Sequence, residues 1–141
     1  MTVALEAKAA ELLALLPDGT RKTAALSLKA INDDMIAALD ADDLNRWGKG
    51  DELFHRFLVE QCGNGRIARL AATIMDQSHR ARMLTLRLRP KPLQSAIEHA
   101  AIVDAIAAGD GALAQTLAGR HRSRARDELL PLIRDFGMRH L

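Results

Sequence analysis

Four side chains with the chemistry of metal ligands are spread along the sequence: Asp51, His55, His99 and His121. Asp51 and His55 are four residues apart, so on a helix they share one face, with Cβ atoms about 5–6 Å apart. Phe54 and Leu58 flank His55, which indicates that its imidazole points to the core. The pair is therefore a workable chelate, although an Asp and a His at this spacing also occur by chance in many helices.

A hairpin brings the other two histidines together. His99 precedes Gly109 by ten residues, and His121 follows Gly111 by ten. At about 1.5 Å of rise per residue, the chain travels roughly 15 Å to the turn and the same distance back. Both imidazoles then lie at the same level of an antiparallel helix pair, and three imidazoles and a carboxylate converge if the helices pack as the short loops suggest.

Such a ligand set suits borderline divalent ions such as Zn²⁺, Ni²⁺, Mn²⁺ or Fe²⁺. A six-coordinate ion held by four side chains keeps two positions for water or for a carboxylate. That would make the chain a sensor or an enzyme. A histidine on an apolar face is also often a hydrogen-bonded core residue, so a structural role stays open. We expect His79 and His140 to be exposed and outside the set.

The elements that must position these residues are helices. Aromatic residues make up only 3% of the sequence and tyrosine is absent, so the enrichment typical of strands is missing. Apolar periodicity and turn residues predict helices over about 3–16, 20–39, 44–61, 65–88, 93–108 and 111–134. Thr20 and Asn64 are the expected N-caps, and Pro131 should kink or restart the last helix. Short loops favour an antiparallel, all-α bundle of six to seven helices.

Bulk properties limit the remaining possibilities. The 141 residues fit a single domain covering 1–141. The sequence lacks an apolar run of about 20 residues and a signal segment, and the lone Cys62 cannot form an intrachain disulfide, so we expect a soluble, cytoplasmic protein. The formal charge is only +2. The basic run 80–89 therefore predicts a solvated face, or arginines lining an anion pocket, rather than a nucleic-acid surface.

The chain also resembles a known family, the FCD ligand-binding domain of FadR-type GntR transcription regulators. The resemblance runs in order through these segments: Leu5-Glu6 with Ala9-Ala10, Asp51-Glu-Leu-Phe-His55, Gly63-Asn64-Gly-Arg-Ile, Glu98-His99-Ala-Ala-Ile102, Ala105-Ile106 with Gly109-Asp110, and His121. It implies a metal held by Asp51, His55, His99 and His121, with a small organic acid bound against it. It further implies a homodimer whose arrangement shifts with the effector and so changes the DNA affinity of an N-terminal winged-helix domain.

Two departures from the family pattern matter. No winged-helix domain precedes residue 1, so we expect DNA binding only through a domain that is not in this chain. The family's arginine just before Leu-Glu is replaced here by Thr2-Val3. This effector contact is then either absent or supplied by another residue, and the candidates for supplying it are Asn64, Arg80 and Arg82.

The sequence favours effector sensing over catalysis. A metal-dependent hydrolase is the alternative function, and it needs a general base near the open metal positions. Glu98 and Glu52 are the only nearby carboxylates in sequence, and on a helix Glu98 points about 100° away from His99. Glu98 should therefore meet a hydrogen-bond donor around the ligands rather than a bound water, and we expect no enzyme activity.

Overall fold

The computed structural model describes residues 2–139, with side chains described for residues 3–135. Six α-helices follow one another: α1 (Thr2–Ala14), α2 (Asp18–Asp40), α3 (Leu44–Glu60), α4 (Gly65–Thr85), α5 (Leu93–Ala107) and α6 (Gly111–Arg139). A single 3₁₀ turn, Leu86–Leu88, follows α4, and these residues include no strand. The predicted all-α class is confirmed. None of the described helices combines the length and the apolar character that crossing a membrane requires.

Side-chain caps begin three of the described helices, and at the start of α6 Asp110 accepts a hydrogen bond from the backbone N–H of Leu113. Asp43 accepts a hydrogen bond from the backbone N–H of Arg46 at the start of α3, and Asn64 caps α4 as predicted. The prediction that Thr20 caps α2 is wrong, because α2 already begins at Asp18, directly after Pro17. The fixed φ of proline suits the entry to a helix, and its missing N–H costs no bond there.

Prolines act differently at the ends of α4 and α6. The regular part of α4 ends at Thr85, a few residues earlier than expected, and the 3₁₀ turn completes it before Pro90. The expected restart at Pro131 is not seen, since α6 continues through this residue to Arg139. Pro131 is exposed, so the carbonyl whose partner the ring removes can be satisfied by water.

The core lies where α1 packs against the other helices of the bundle. Leu13, Leu28, Phe54 and Ile106 are completely or almost completely buried in one large apolar cluster. A smaller cluster joins Ala9 of α1 to α3 and α4. Helix α1 packs along α6 and supplies side chains to both clusters, so a polar side chain on its inner face is forced into the middle of the bundle.

Glycines in α3 let this helix approach its neighbours closely. A Cβ atom on Gly48 would collide with Met83 of α4, and one on Gly50 would collide with Met35 of α2. The helix is regular across both positions, so the glycines do not interrupt it. Their effect is to bring Asp51 deep between α2 and α4.

Candidate metal and effector site

Three imidazoles from α3, α5 and α6 meet in the centre of the bundle. His55, His99 and His121 are each at most 3% exposed, and one nitrogen of each lies within 4.8 Å of the others. The Nε2 atoms of His99 and His121 are 3.1 Å apart. The hairpin count therefore placed these two histidines at the correct level of α5 and α6.

Asp51 completes this group from the turn of α3 that precedes His55. Its Oδ1 atom lies 3.3 Å from Nε2 of His55 and 3.8 Å from Nε2 of His99. Phe54 stacks on the ring of His99, with centroids 4.1 Å apart and planes 11° from parallel, and closes that side with an apolar surface. We call Asp51, His55, His99 and His121 the imidazole cage.

Each imidazole turns its Nδ1 atom away from the cage toward an oxygen on another helix. The partners are Glu6 for His55 at 2.7 Å, Asn32 for His99 at 3.2 Å, and Glu98 for His121 at 2.7 Å. Such outer contacts fix the ring orientation and the tautomer of ligating histidines. Glu98 thus contacts the outer nitrogen of His121.

The outer contacts determine what the inner nitrogens can do. The amide nitrogen of Asn32 donates to the carbonyl of Ala96, so its oxygen faces His99 and places the ring proton on Nδ1. The Glu98 carboxylate does the same for His121. Both Nε2 atoms then present lone pairs to each other at 3.1 Å, and Nε2 of His55 lies 3.3 Å from Oδ1 of Asp51. Two lone pairs that face each other across this distance fit a metal cation and do not fit a hydrogen bond between the two rings.

Two buried carboxylates supply negative charge around His55. Although burial opposes ionisation, Arg122 and His55 lower the pKa of Glu6 to about 2. Burial also opposes the charged form of Asp51, yet Arg82 and His55 hold its pKa well below the usual range. Both groups are therefore charged near neutral pH, as metal ligation by Asp51 requires.

The histidines differ in proton affinity. Burial disfavours the charged form of His55, but the carboxylates of Glu6 and Asp51 outweigh it and raise the pKa. Burial, together with the neighbouring imidazoles, lowers the pKa of His99 strongly, and burial also lowers that of His121. Two of the three imidazoles are thus held neutral and ready to ligate, whereas the third competes for a proton.

Two buried arginines face the cage carboxylate and its neighbour. Arg82 of α4 places Nε 2.8 Å from Oδ2 of Asp51, on the side away from the imidazoles. Arg122 of α6 places Nε 2.6 Å from Oε2 of Glu6. With neutral imidazoles, these two cations balance the two carboxylates.

A cavity of about 200 Å³ lies on the far side of these arginines, between the start of α1, the middle of α4 and the second half of α6. We call it the α6 cavity. Its lining comprises Val3, Ser78, Ala81, Arg82, Arg122, Arg126, Leu129, Leu130 and Ile133. Both arginines thus line the cavity, and Arg82 also contacts Asp51 of the imidazole cage.

The remaining histidines lie outside the cage. The expectation that His79 is exposed is wrong, because its side chain is only 20% exposed and its Nε2 lies 3.2 Å from Glu52. Glu52 also pairs with Arg56 on its own helix, so Glu52 and His79 form a separate link between α3 and α4. His140 lies outside the described residues.

The three candidate effector residues occupy different environments. Arg82 is 5% exposed and faces both Asp51 and the cavity. Arg80 is exposed, since two residues along a helix turn a side chain to nearly the opposite side. Asn64 is exposed, and its side-chain oxygen accepts hydrogen bonds from the backbone N–H groups of Arg66 and Ile67.

Sequence reasoning missed Glu6, Asn32 and Arg122 as parts of the site. A signal existed for the first two: Glu6 shares a helical stripe with Ala10 and Leu13, and Asn32 falls on the buried face of α2. A polar residue on an apolar stripe indicates a buried partner. Arg122 carried no such signal, because it sits among several other arginines in a basic stretch.

Comparison with known proteins connects this geometry to a family. The family model described as the FCD domain matches residues 1–124 of the 141-residue chain. The match spans α1 to α5 and the part of α6 that carries His121. No curated protein gives a significant match to the chain.

Proposed function

The chain belongs to the FCD domain family of effector-sensing domains in GntR-type regulators, and we propose that its sensing is metal-dependent. Asp51, His55, His99 and His121 would hold one divalent ion, with Zn²⁺, Ni²⁺ and Mn²⁺ as the candidates. A small organic acid would bind against the metal and Arg82. When bound, the metal supplies a fixed positive charge and Lewis acidity at the centre of the bundle.

The observation that carries this proposal is the convergence of three imidazoles in the cage. Three Nε2 atoms point inward while the three Nδ1 atoms face oxygens from α1, α2 and α5. This arrangement orients each ring before any ligand arrives, and outer partners of this kind are typical of metal-ligating histidines.

Charge balance supports an anionic effector. Glu6 and Asp51 offset Arg82 and Arg122, so a divalent ion adds two uncompensated positive charges to a buried site. Leaving such charge unpaired in a low-dielectric interior is costly. An organic acid that reaches the metal from the cavity reduces this excess.

Catalysis is less well supported than sensing. FCD domains are regulatory domains that bind effectors. The two carboxylates considered as general bases are also engaged elsewhere. Glu98 contacts His121 and Arg124, while Glu52 contacts Arg56 and His79. A carboxylate that is already engaged by two nitrogen-bearing side chains is a poor acceptor for the proton of an attacking water.

We further propose a homodimer that controls a winged-helix domain outside this chain. Exposed large apolar side chains support self-association, among them Leu93 at 58% and Ile97 at 63% exposure. Light scattering after gel filtration, with and without effector, tests the dimer.

Calorimetry on metal-free and metal-loaded protein tests the central proposal. Metal-loaded protein should bind organic acids at least tenfold more tightly than metal-free protein, because the metal provides the missing counter-charge. His79→Ala is the matched control, since this histidine lies outside the cage. Equal acid binding in both states would show that sensing does not depend on metal.

A further inference from the structure

The α6 cavity has two chemically different ends. Arg82 and Arg122 form the end next to the imidazole cage, while Leu129, Leu130 and Ile133 line the other end. Each buried arginine makes its closest carboxylate contact through Nε. A guanidinium carries five N–H donors, so donors remain for an anion on the cavity side. One end therefore suits a carboxylate and the other does not.

The polarity changes along a single face of α6. Arg122, Arg126, Leu129 and Ile133 follow one another at spacings of three or four residues, which keeps them on one side of the helix. Leu129 is thus about 10 Å further along the helix axis than Arg122. A ligand with its acid group at Arg122 extends its other end over apolar side chains.

The opposite walls add little polarity at the apolar end. Val3 of α1 and Ala81 of α4 contribute small apolar side chains, and Ser78 is the only uncharged polar residue among the described residues of the lining. A volume of about 200 Å³ corresponds to about seven water-sized groups. Arg126, which also lines the cavity, is exposed and lies 3.4 Å from Asp127, so a second carboxylate or several hydroxyl groups at the apolar end find no buried donor among the described residues of that end.

We propose that the α6 cavity selects an organic acid with one carboxylate and an apolar body, such as a medium-chain alkanoate or an aromatic monocarboxylate. This inference rests on the proposed effector-sensing function and specifies its ligand class. Dicarboxylates and hydroxy acids of similar size bind more weakly. Leu130 and Ile133 determine this specificity, and Arg82 and Arg122 hold the acid group.

Calorimetry with the purified, Zn²⁺-loaded chain tests the selection with three probes: acetate, hexanoate and succinate. Succinate has as many non-hydrogen atoms as hexanoate but carries a second carboxylate in place of the apolar tail. Hexanoate should bind at least tenfold more tightly than acetate, because it has four additional methylene groups and each one that is buried adds a few-fold in affinity. Succinate should bind more weakly than hexanoate.

Two partly exposed positions allow the apolar end of the α6 cavity to be changed without disturbing the core. Leu130→Ser and Ile133→Ser, at 41% and 37% exposure, should each weaken hexanoate several-fold and leave acetate unchanged. Leu113→Ser is the matched control, at 45% exposure near the opposite end of α6, and should leave hexanoate affinity unchanged. A loss of hexanoate affinity in either of the first two variants supports binding of the apolar body at the apolar end of the α6 cavity.

The outcomes separate this inference from the function on which it rests. Tighter binding of succinate than of hexanoate, or hexanoate binding that neither cavity variant weakens, overturns the selection and leaves metal-dependent acid sensing intact. Failure of all three acids to bind the Zn²⁺-loaded chain overturns the selection and counts against organic-acid sensing as well. Failure of the chain to bind Zn²⁺, Ni²⁺ or Mn²⁺ overturns the metal-dependent function itself, and the three acids are then compared on the metal-free chain.

Discussion

The imidazole cage and the α6 cavity share a wall but are built differently. The cage is closed, its histidines are at most 3% exposed, and every ring has an outer partner. The cavity is open, and its apolar end includes Leu130 and Ile133, which are substantially exposed. A rigid, prearranged cage suits an ion that stays bound, whereas an open cavity suits a molecule that comes and goes.

Arg82 and Arg122 connect the two regions. Each arginine contacts a carboxylate of the metal-binding side and also lines the cavity. An acid that draws on these cations changes the environment of Asp51 and Glu6. The two shared arginines therefore indicate that the metal affinity and the organic-acid affinity are coupled. Coupling between two binding sites is reciprocal.

Removal of two cage ligands should have the largest effect. His99→Ala combined with His121→Ala leaves at most two ligands, and we expect metal affinity to fall by more than about 100-fold, beyond the range known for outer-partner losses. Competition with a chelator measures this affinity. The His79→Ala variant should retain normal affinity, and a comparable loss there would contradict the assignment of the cage.

Lowering the pH should weaken metal binding through the uptake of one proton. A ligating imidazole must be neutral, and only His55 has a raised pKa in the metal-free site, so its proton competes with the metal. The affinity should fall as pH decreases, starting above the ordinary histidine pKa of about 6.5, with a slope approaching tenfold per pH unit. His99 and His121 have lowered pKa values and add little to this slope.

Titrations from pH 8 to pH 5.5 measure the proton dependence directly. A change of metal affinity with pH that corresponds to three protons would mean that all three imidazoles take up protons in competition with the metal. A flat profile would mean that His55 is not a ligand. The His55→Ala variant serves as the control, since its weaker binding should lose the one-proton dependence.

Loss of an outer partner should have an intermediate effect. Glu98→Gln keeps the size of the side chain but weakens its contacts with His121 and Arg124, and we expect metal affinity to fall about 10-fold to 100-fold. Glu128→Gln is the matched control, because Glu128 contacts Arg124 without reaching the cage. Equal losses in both variants would indicate a general effect on α6 rather than on ring orientation.

A residue outside both regions should affect stability alone. Asn64→Ala removes the N-cap of α4, and we expect the free energy of unfolding to drop by about 1 kcal/mol. Metal and acid affinities should stay within about twofold. Urea denaturation and calorimetry measure the two quantities separately, and a tenfold loss of acid affinity would restore Asn64 as an effector residue.

The sequence predicted the parts of the site that depend on local spacing. Asp51 and His55 share a helical face by their four-residue separation, and the turn at Gly109 sets the level of His99 against His121. The all-α class followed from periodicity and composition. These features are properties of a single helix or of one hairpin, so residue counting is sufficient.

The contacts between helices that are distant in sequence could not be predicted by counting residues. Glu6 meets His55 and Arg122 only because α1 lies between α3 and α6. The composition of the α6 cavity likewise depends on the packing of α1, α4 and α6. Arg80 and Arg82 looked equivalent in the sequence, and only their helical phase relative to Asp51 separates the buried cation from the exposed one.

Elemental analysis combined with native mass spectrometry on freshly purified protein tests the central claim most directly. We expect about one divalent ion per chain in the wild-type protein and in His79→Ala, and almost none in the double variant His99→Ala with His121→Ala. A wild-type chain that contains no metal, takes none up and keeps the same thermal stability when Zn²⁺, Ni²⁺ or Mn²⁺ is added would contradict the central claim.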